Sequence, residues 1–450
     1  MSIKESGHHF IAIIGGAVAG AEAATQLSRR GFRVVVFDQG KLPYGKIEDG
    51  LPMWHYKLRD KEEENIIRKL NQPNIIYVPC VRLGRDLEFS DLLSWGFTAI
   101  LLATGAWKDR PFPVDGIAAY VGKEIIYQNP LVYWFNHRHE PGYTGPQCDL
   151  KDDAIIIGGG LASLDVAKIL MIDTVQKALK NHGIDADVFT LEHGIAAFLE
   201  MHNLTLEQIG LKGCTLYYRR RDIDMPLTPM PVDTEEKLEK ARLVRQKVLE
   251  NFQKKYLFRF EGCCIPNELI VNDGQLHGVK FQRTKIEDDR VIPLEQTIDV
   301  QSSMIVSSIG SIPEHIPGLP TENGVFKIKS PQSCQIHGLY NVFAIGNAVT
   351  GKGNINESVR HGREITEMIM DNFLDWHQED YENWHRQTSV KVKQHMNEII
   401  EVIERQKFLP DTVIQSILEK VESLQKKAGY EGDFERWINA HTPLRLENMI

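Results

Sequence analysis

No apolar run in this 450-residue chain is long enough to cross a bilayer, and nothing hydrophobic precedes the first predicted strand, since the start reads "MSIKESGHHF". A spanning helix needs about 20 such residues, and a secretion signal needs an apolar core near the N-terminus. Both are missing, so the sequence reads as cytoplasmic, with no membrane partner. The imbalance of charge is moderate, with 52 Lys and Arg against 61 Asp and Glu. A net charge of −9 argues against a nucleic-acid binder, whose surface is usually basic. Cysteine is the third shortage. Cys80, Cys148, Cys214, Cys263, Cys264 and Cys334 form no C-x-x-C pair and no cluster with metal-ligand spacing. Adjacent Cys263 and Cys264 are poorly placed for a structural disulfide. The expectation is reduced thiols in a reducing compartment and no bound metal; His137 and His139 read as a surface loop.

What is present is ordinary globular composition, with 42% hydrophobic and 25% charged residues, and length for two or three domains. "FIAIIGGAVAGAEAATQLSRRGFRVVVFDQG", from Phe10 to Gly40, reads as one βαβ unit. A buried strand at Phe10–Ile14 meets a turn at Gly15 and Gly16. A helix from Val18 follows, with Gly31 well placed to end it. A second buried strand ends on Asp38. Gly15 lets the chain turn, Gly20 lets helix and strand pack closely, and the free N–H groups at the helix start suit a pyrophosphate. Asp38 is positioned to accept hydrogen bonds from a ribose diol. Ala17 stands where the usual pattern has its middle glycine, and a methyl group is the smallest intrusion there. Ala19 completes the turn.

A similar stretch, "AIIIGGGLASLDVAKIL", returns at Ala154. Gly158 and Gly160 fit the turn, Leu161 starts the helix and Ser163 takes the third position. A partly helical insertion, 171–213, separates this helix from "CTLYYRRR", the predicted partner strand. It ends in Arg219, Arg220 and Arg221, where the first unit has Asp38. Guanidinium groups there suit a 2′-phosphate, which gives FAD in the first unit and NADPH in the second. The other reading of the arginines is a solvated loop. "FTAILLATGAWKDRP" adds a strand running into Thr104 and Gly105. "VFAIGNAVTGKGNINESVRHG" adds a strand and a glycine-rich turn with Gly346, Asn347, Gly353 and Ile355.

This order of elements resembles the two-dinucleotide flavoproteins of the glutathione-reductase fold. Within them it is similar to adrenodoxin-reductase-type ferredoxin–NADP reductases and to the small subunit of NADPH-dependent glutamate synthase. The resemblance covers roughly residues 8 to 375 and is strongest in "PYGKIEDGLPMWHYKLRDKEE". There Gly45, Gly50 and Pro52 match the loop that wraps the flavin ring, and His55 matches a histidine near the flavin. "YRRRDIDMP" matches the arginine pair followed by Met-Pro, which makes Arg219 and Arg220 the 2′-phosphate ligands. The chain departs from the family at Glu48 and Asp49, where a basic residue is common, and at Asn347. It lacks the iron–sulfur cysteines of the glutamate synthase subunit.

The implied architecture is α/β, with two doubly wound Rossmann-type layers, the second inserted in the first. The FAD-binding domain is expected at 1–113 and 318–375, the NADPH-binding domain at 114–317, and a helical C-terminal extension at 376–450. The implied activity is hydride transfer from NADPH to flavin, with electrons passed on to a ferredoxin- or flavodoxin-like carrier. His55 is the candidate for tuning the flavin or relaying a proton, or else it only hydrogen-bonds backbone. Glu235 and Glu236 either approach the nicotinamide or begin an exposed charged helix. Competing functions are an electron-input subunit of a larger enzyme and a non-catalytic nucleotide sensor. A flavin monooxygenase is disfavoured by the missing F-x-G-x-x-x-H fingerprint. In the extension, Val390, Met396, Ile400 and Ile403 recur at near-helical spacing, which predicts helices that cap the body, dimerise or bind a partner.

Overall fold

The computed structural model describes residues 8–228, 232, 234–331, 333–350 and 376–449. Strand β1 (Phe10–Ile14) leads through helix α1 (Val18–Arg29) to β2 (Arg33–Phe37). Helix α2 (Tyr56–Leu70) leads to β3 (Ile75–Val78), and β4 (Ala99–Leu102) follows. All four strands are parallel, with β1 between β2 and β4. Right-handed crossovers of this kind place helices over both sheet faces. The strands are accordingly apolar apart from Arg33 at the exposed start of β2.

The chain then leaves this sheet and builds a second one. Its strands are β5 (Ile125–Tyr127), β6 (Ile155–Gly158), β7 (Thr215–Tyr217) and β8 (Arg259–Glu261), with helix α3 (Gln128–His137) after β5 and helix α4 (Leu161–Asn181) after β6. Parallel pairing of β6 with β7 settles which strand partners the second glycine turn. The insertion between them supplies the rest of α4 and two short helices, Val188–Glu192 and Ile195–Met201. Helix α5 (Glu235–Tyr256) precedes β8 and buries Val244, Val248, Leu249 and Phe252, leaving its charged face outward as expected.

An antiparallel layer follows: β9 (Cys264–Asn272), β10 (Gln275–Glu287) and β11 (Arg290–Gln301). It was not foreseen, although "QLHGVKFQRTKIE" has strand-like alternation. β12 (Ile305–Ser308) then returns to the second sheet between β5 and β6. The two crossings between the sheets pair with each other as a short ribbon, Lys108–Asp109 against Ser311–Ile312. Only then does β13 (Val342–Ala344) rejoin the first sheet beside β4. The second layer is therefore inserted in the first.

In the C-terminal region, helices α6 (Trp376–Glu404), α7 (Asp411–Ala428) and α8 (Phe434–His441) are integral to the first layer. From α6, Met396, Ile400 and Ile403 join Ile11, Ile13, Val34 and Val36 in one core, with Trp437 and Ile438 of α8. From α7, Ile414, Ile417 and Val421 join Phe10, Ala12, Val35 and Phe37 in another. Successive strand residues point to opposite faces, so these helices cover both sides of one sheet. The apolar stripe is thus consumed within the chain, which agrees with capping among the three alternatives; Val390 alone of the four cited residues is exposed. No described helix is long and apolar enough to cross a membrane.

Candidate functional site

The first glycine turn folds as its spacing predicts. Gly15 has φ +103°, and a Cβ there would lie 2.5 Å from the Ala103 carbonyl oxygen. A Cβ on Gly20 would lie 1.8 Å from the Gly15 carbonyl oxygen, so both positions exclude any side chain. Gly16 packs against Pro43, and its N–H donates to Asp38 Oδ2 at 2.7 Å. Ala17 is accommodated because its neighbour across the cleft is bare: a Cβ on Gly45 would come within 3.0 Å of the Ala17 methyl. Gly346 stands in the same relation to Ala19, at 2.7 Å. Helix α1 begins with no side-chain cap, which leaves its first amides available to an anion.

Around this turn lies a cleft that is open to solvent. Gly15, Ala17, Ala19, Asp38, Gly45, Thr104, Gly105 and Asn347 line it. Gly16, Gly20, Gly50 and Gly346 do not; the first two and Gly346 shape the turn from behind, and Gly50 ends the short helix Lys46–Asp49. Gly353 and Ile355 lie outside the described residues. Asp38 is buried, and burial pushes its carboxyl up to about 6 although the Gly16 and Gly40 amides favour the anion. The Thr104 hydroxyl is buried without a hydrogen-bond partner among the described residues. A buried polar atom of this kind, beside uncapped helix amides and a carboxylate, fits a dinucleotide.

Reading the sequence missed the far end of the cleft. Lys46 Nζ donates to Asn129 Oδ1 at 2.8 Å and to Ser311 Oγ at 3.2 Å, tying the first layer to the start of α3 and to the second crossing segment. Burial lowers this ammonium to about 8, opposed by Asp109 and Asp49. Lys46 appears in the quoted flavin-loop stretch, but only the fold brings it to the ribbon. At the mouth, Arg82 Nη2 reaches both carboxylate oxygens of Glu314 at 2.7 Å.

His55 is not part of the cleft wall. It is buried against the second layer, with Nε2 3.7 Å from Asp165 Oδ1 on α4. Next to it, Trp54 stacks on Lys168, whose Nζ lies 4.1 Å from the ring centroid and 2.6 Å from Glu192 Oε1. Glu235 and Glu236 open α5 on its exposed side.

In the second unit, a Cβ on Gly158 would collide with the Ser163 hydroxyl, which donates to the Ser308 carbonyl at 3.1 Å. Gly160 and Leu161 start α4, again with no side-chain cap. The Tyr218 ring packs over Gly159, where a Cβ would come within 2.1 Å of it. Beyond it the arginines separate. Arg219 is exposed, Arg220 pairs with Asp289 at 2.7 Å, and Arg221 with Asp224 at 2.8 Å. Asp289 sits in the β10–β11 turn, so the unforeseen antiparallel layer reaches the arginine loop. Buried Arg245 of α5 also faces this loop, donating to the Ile223 carbonyl at 3.1 Å. Helical periodicity alone gave no sign of it.

Residues 9–202 match the model of the pyridine nucleotide-disulphide oxidoreductase family. The match spans both glycine turns. The chain is 25% identical over 350 residues to the mitochondrial NADPH:adrenodoxin oxidoreductase of Arabidopsis thaliana, covering 70% of each protein. It is 26% identical over 366 residues to the NADPH glutamate synthase small chain of Bacillus subtilis, covering 80% of this chain and 66% of that one. The fold is that of Mycobacterium tuberculosis FprA in complex with NADPH, with TM-score 0.66, 18% identity, and 93% and 91% of the two chains covered. Despite the disulphide in the family description, none of the six cysteines lines the cleft, and all six are free. Burial pushes the thiols of Cys80, Cys148, Cys214, Cys264 and Cys334 up, away from the reactive thiolate.

Proposed function

We propose that the protein is an FAD-dependent oxidoreductase that takes hydride from NADPH and passes electrons to a ferredoxin- or flavodoxin-like carrier. The observation that carries this is the cleft, where Asp38, the orphaned Thr104 hydroxyl and the uncapped start of α1 surround one glycine turn. FAD, when bound, supplies hydride acceptance and onward electron transfer. The chain supplies the rest. Asp38 holds the ribose, the α1 amides hold the pyrophosphate, and Lys46 and Trp107 bound the inner end. Gly158, Gly160, Leu161 and Ser163 receive the second dinucleotide, and Arg219 and Arg220 hold its 2′-phosphate. With no cysteine in the cleft, electrons leave without a thiol relay. The likeness to the glutamate synthase small chain favours a second reading, an electron-input subunit docked on a larger enzyme.

The purified protein should hold one FAD per chain and oxidise NADPH with a dye acceptor, and turnover should survive replacement of all six cysteines by serine or alanine. Colourless protein that cannot be reconstituted with FAD would end this reading. Flavin that is reduced normally but not re-oxidised in the cysteine-free variant would show a thiol step. A stoichiometric partner recovered on purification, without which no carrier protein is reduced, would favour the subunit reading.

Asp38 gives a pH dependence of two signs. Its folded-state pKa, about 6, is raised above the ordinary 3.8 by burial. The folded apoprotein takes up this proton before the unfolded chain does, so Asp38 adds stability as pH falls through that window and withdraws it as pH rises. FAD affinity runs the other way, because a neutral carboxyl is a poorer acceptor for ribose hydroxyls. FAD titrations of apoprotein between about pH 5 and 8 should show binding weakening below about 6. Asp38→Asn should flatten that profile, and an unchanged profile would remove Asp38 from the site.

A further inference from the structure

We propose that Arg445, near the end of the chain, is a positioning residue for the dinucleotide cleft, acting through Glu48 to hold the 41–50 loop that forms one wall. The inference rests on the FAD assignment above. Leu42, Tyr44, Gly45 and Lys46 of that loop line the cleft, and the loop ends in the short helix Lys46–Asp49.

The loop has little of its own to hold it in place. Its helix has a single turn, and such a helix is not stable by itself. The second layer holds it from one side, through Lys46 on Asn129 and Ser311 and through Asn136, which donates to the Glu48 carbonyl at 3.0 Å, and residues 437–447 hold it from the other. The Trp437 indole N–H donates to the Lys41 carbonyl at 2.7 Å. Arg445 Nη1 pairs with Glu48 Oε1, and Arg445 Nη2 reaches both oxygens of Glu63, at 3.0 and 3.2 Å. All three side chains are only 10% exposed. One residue pair further on, Glu447 closes on Arg59 of α2. The same segment also touches the second layer: Leu446 packs on its core, and the Leu444 carbonyl lies 3.3 Å from His139 Nε2.

The acidic pair Glu48–Asp49 therefore has its counter-charges from elsewhere in the chain, Arg445 for Glu48 and His137, at 3.1 Å, for Asp49. Removing Arg445 leaves Glu48 and Glu63 facing each other in a buried site, with Arg59 beside Glu63 and the His137 ring within 4.8 Å of Glu48 as the remaining cationic groups. Two carboxylates in such a place must take up a proton or move apart. Where they move apart, Glu48 shifts Lys46 and Ile47, its neighbours in one helical turn and both in the cleft wall.

The test uses the full chain. Apoproteins of wild type, Arg445→Gln, Arg445→Lys, Glu48→Gln and the double variant Arg445→Gln/Glu48→Gln are titrated with FAD. The FAD Kd, the visible spectrum of the bound flavin and the apoprotein melting temperature are read. Arg445→Gln should raise the Kd about tenfold or more and move the flavin bands toward those of free FAD. Arg445→Lys should recover part of the loss, and so should the double variant, because no unbalanced carboxylate remains at position 48. A lower melting temperature for Arg445→Gln with wild-type Kd and spectrum would overturn the proposal, since Arg445 would then serve stability alone. If Arg445→Gln does not fold, Glu48→Gln decides: it keeps the Arg445–Glu63 pair, and an unchanged Kd and spectrum would overturn the proposal equally. Wild-type protein that takes up no FAD would overturn the cofactor assignment and this inference with it. Normal wild-type binding beside an unaffected Arg445→Gln would overturn this inference alone.

Discussion

A chain ended after Asp375 is expected to be insoluble, or soluble without FAD. The helices it loses are not appendages. Met396, Ile399, Ile400 and Ile403 of α6 cover one face of the first sheet, and Ile414, Ile417 and Val421 of α7 cover the other. Fully burying a side chain of this size contributes about 1.5–3 kcal/mol. Together these side chains match or exceed the roughly 5–15 kcal/mol by which a typical domain is stable. The cut would also remove Trp437 and Arg445, which grip the cleft loop. Expression of the 1–375 fragment, with sedimentation and flavin absorbance, checks this. A monodisperse yellow fragment would mean that the first sheet is closed by something other than these helices.

The second large effect is on coenzyme choice. Wild-type protein should prefer NADPH to NADH, and Arg219→Ala/Arg220→Ala should erase most of that preference. Losing charged hydrogen bonds to a 2′-phosphate costs on the order of 2–3 kcal/mol, or roughly a hundredfold in binding. Arg220 is held by Asp289, so the phosphate must take the place of a carboxylate already there. Arg219, exposed at the strand end, pairs with no carboxylate among the described residues and should carry the larger single effect. The readout is kcat/KM for each coenzyme with a dye acceptor. Equal use of both coenzymes by the unmutated protein would mean that the arginines are a solvated loop.

Glycine positions made much of this legible. Gly15, Gly20 and Gly158 sit where backbone or a buried hydroxyl leaves no room for a side chain, so the sequence records the turn directly. The alternation-free apolar runs at Phe10–Ile14 and Val34–Phe37 likewise announce strands buried on both faces. The C-terminal stripe was legible as a helix face, but periodicity names a face and not its partner. Its partner, the sheet face that carries Ile11 and Val34, lies more than 350 residues away by the numbering. The acidic pair Glu48–Asp49 looked like a departure from its relatives for the same reason: the balancing Arg445 comes from the other end of the chain. His55 was assigned by resemblance alone, and its approach to Asp165 of the second layer is a tertiary contact that no local pattern shows. Arg245 and Asp289 approach the arginine loop through tertiary packing, which leaves no local mark.

The insertion of one layer in the other also sets an order of events during synthesis. The second sheet draws all its strands from one continuous stretch, Ile125 to Ser308, and is complete as soon as that stretch leaves the ribosome. The first sheet has four strands early, but its edge strand, Val342–Ala344, and the helices that seal both faces are made last. Contacts between such distant parts form slowly, since a long loop must close before they stabilise anything. During translation β1 to β4 therefore wait with apolar faces only partly covered, by α1, α2 and the Phe89–Ser94 helix, while the inserted layer folds ahead of them. That interval is when the nascent chain is most open to aggregation and most dependent on chaperones.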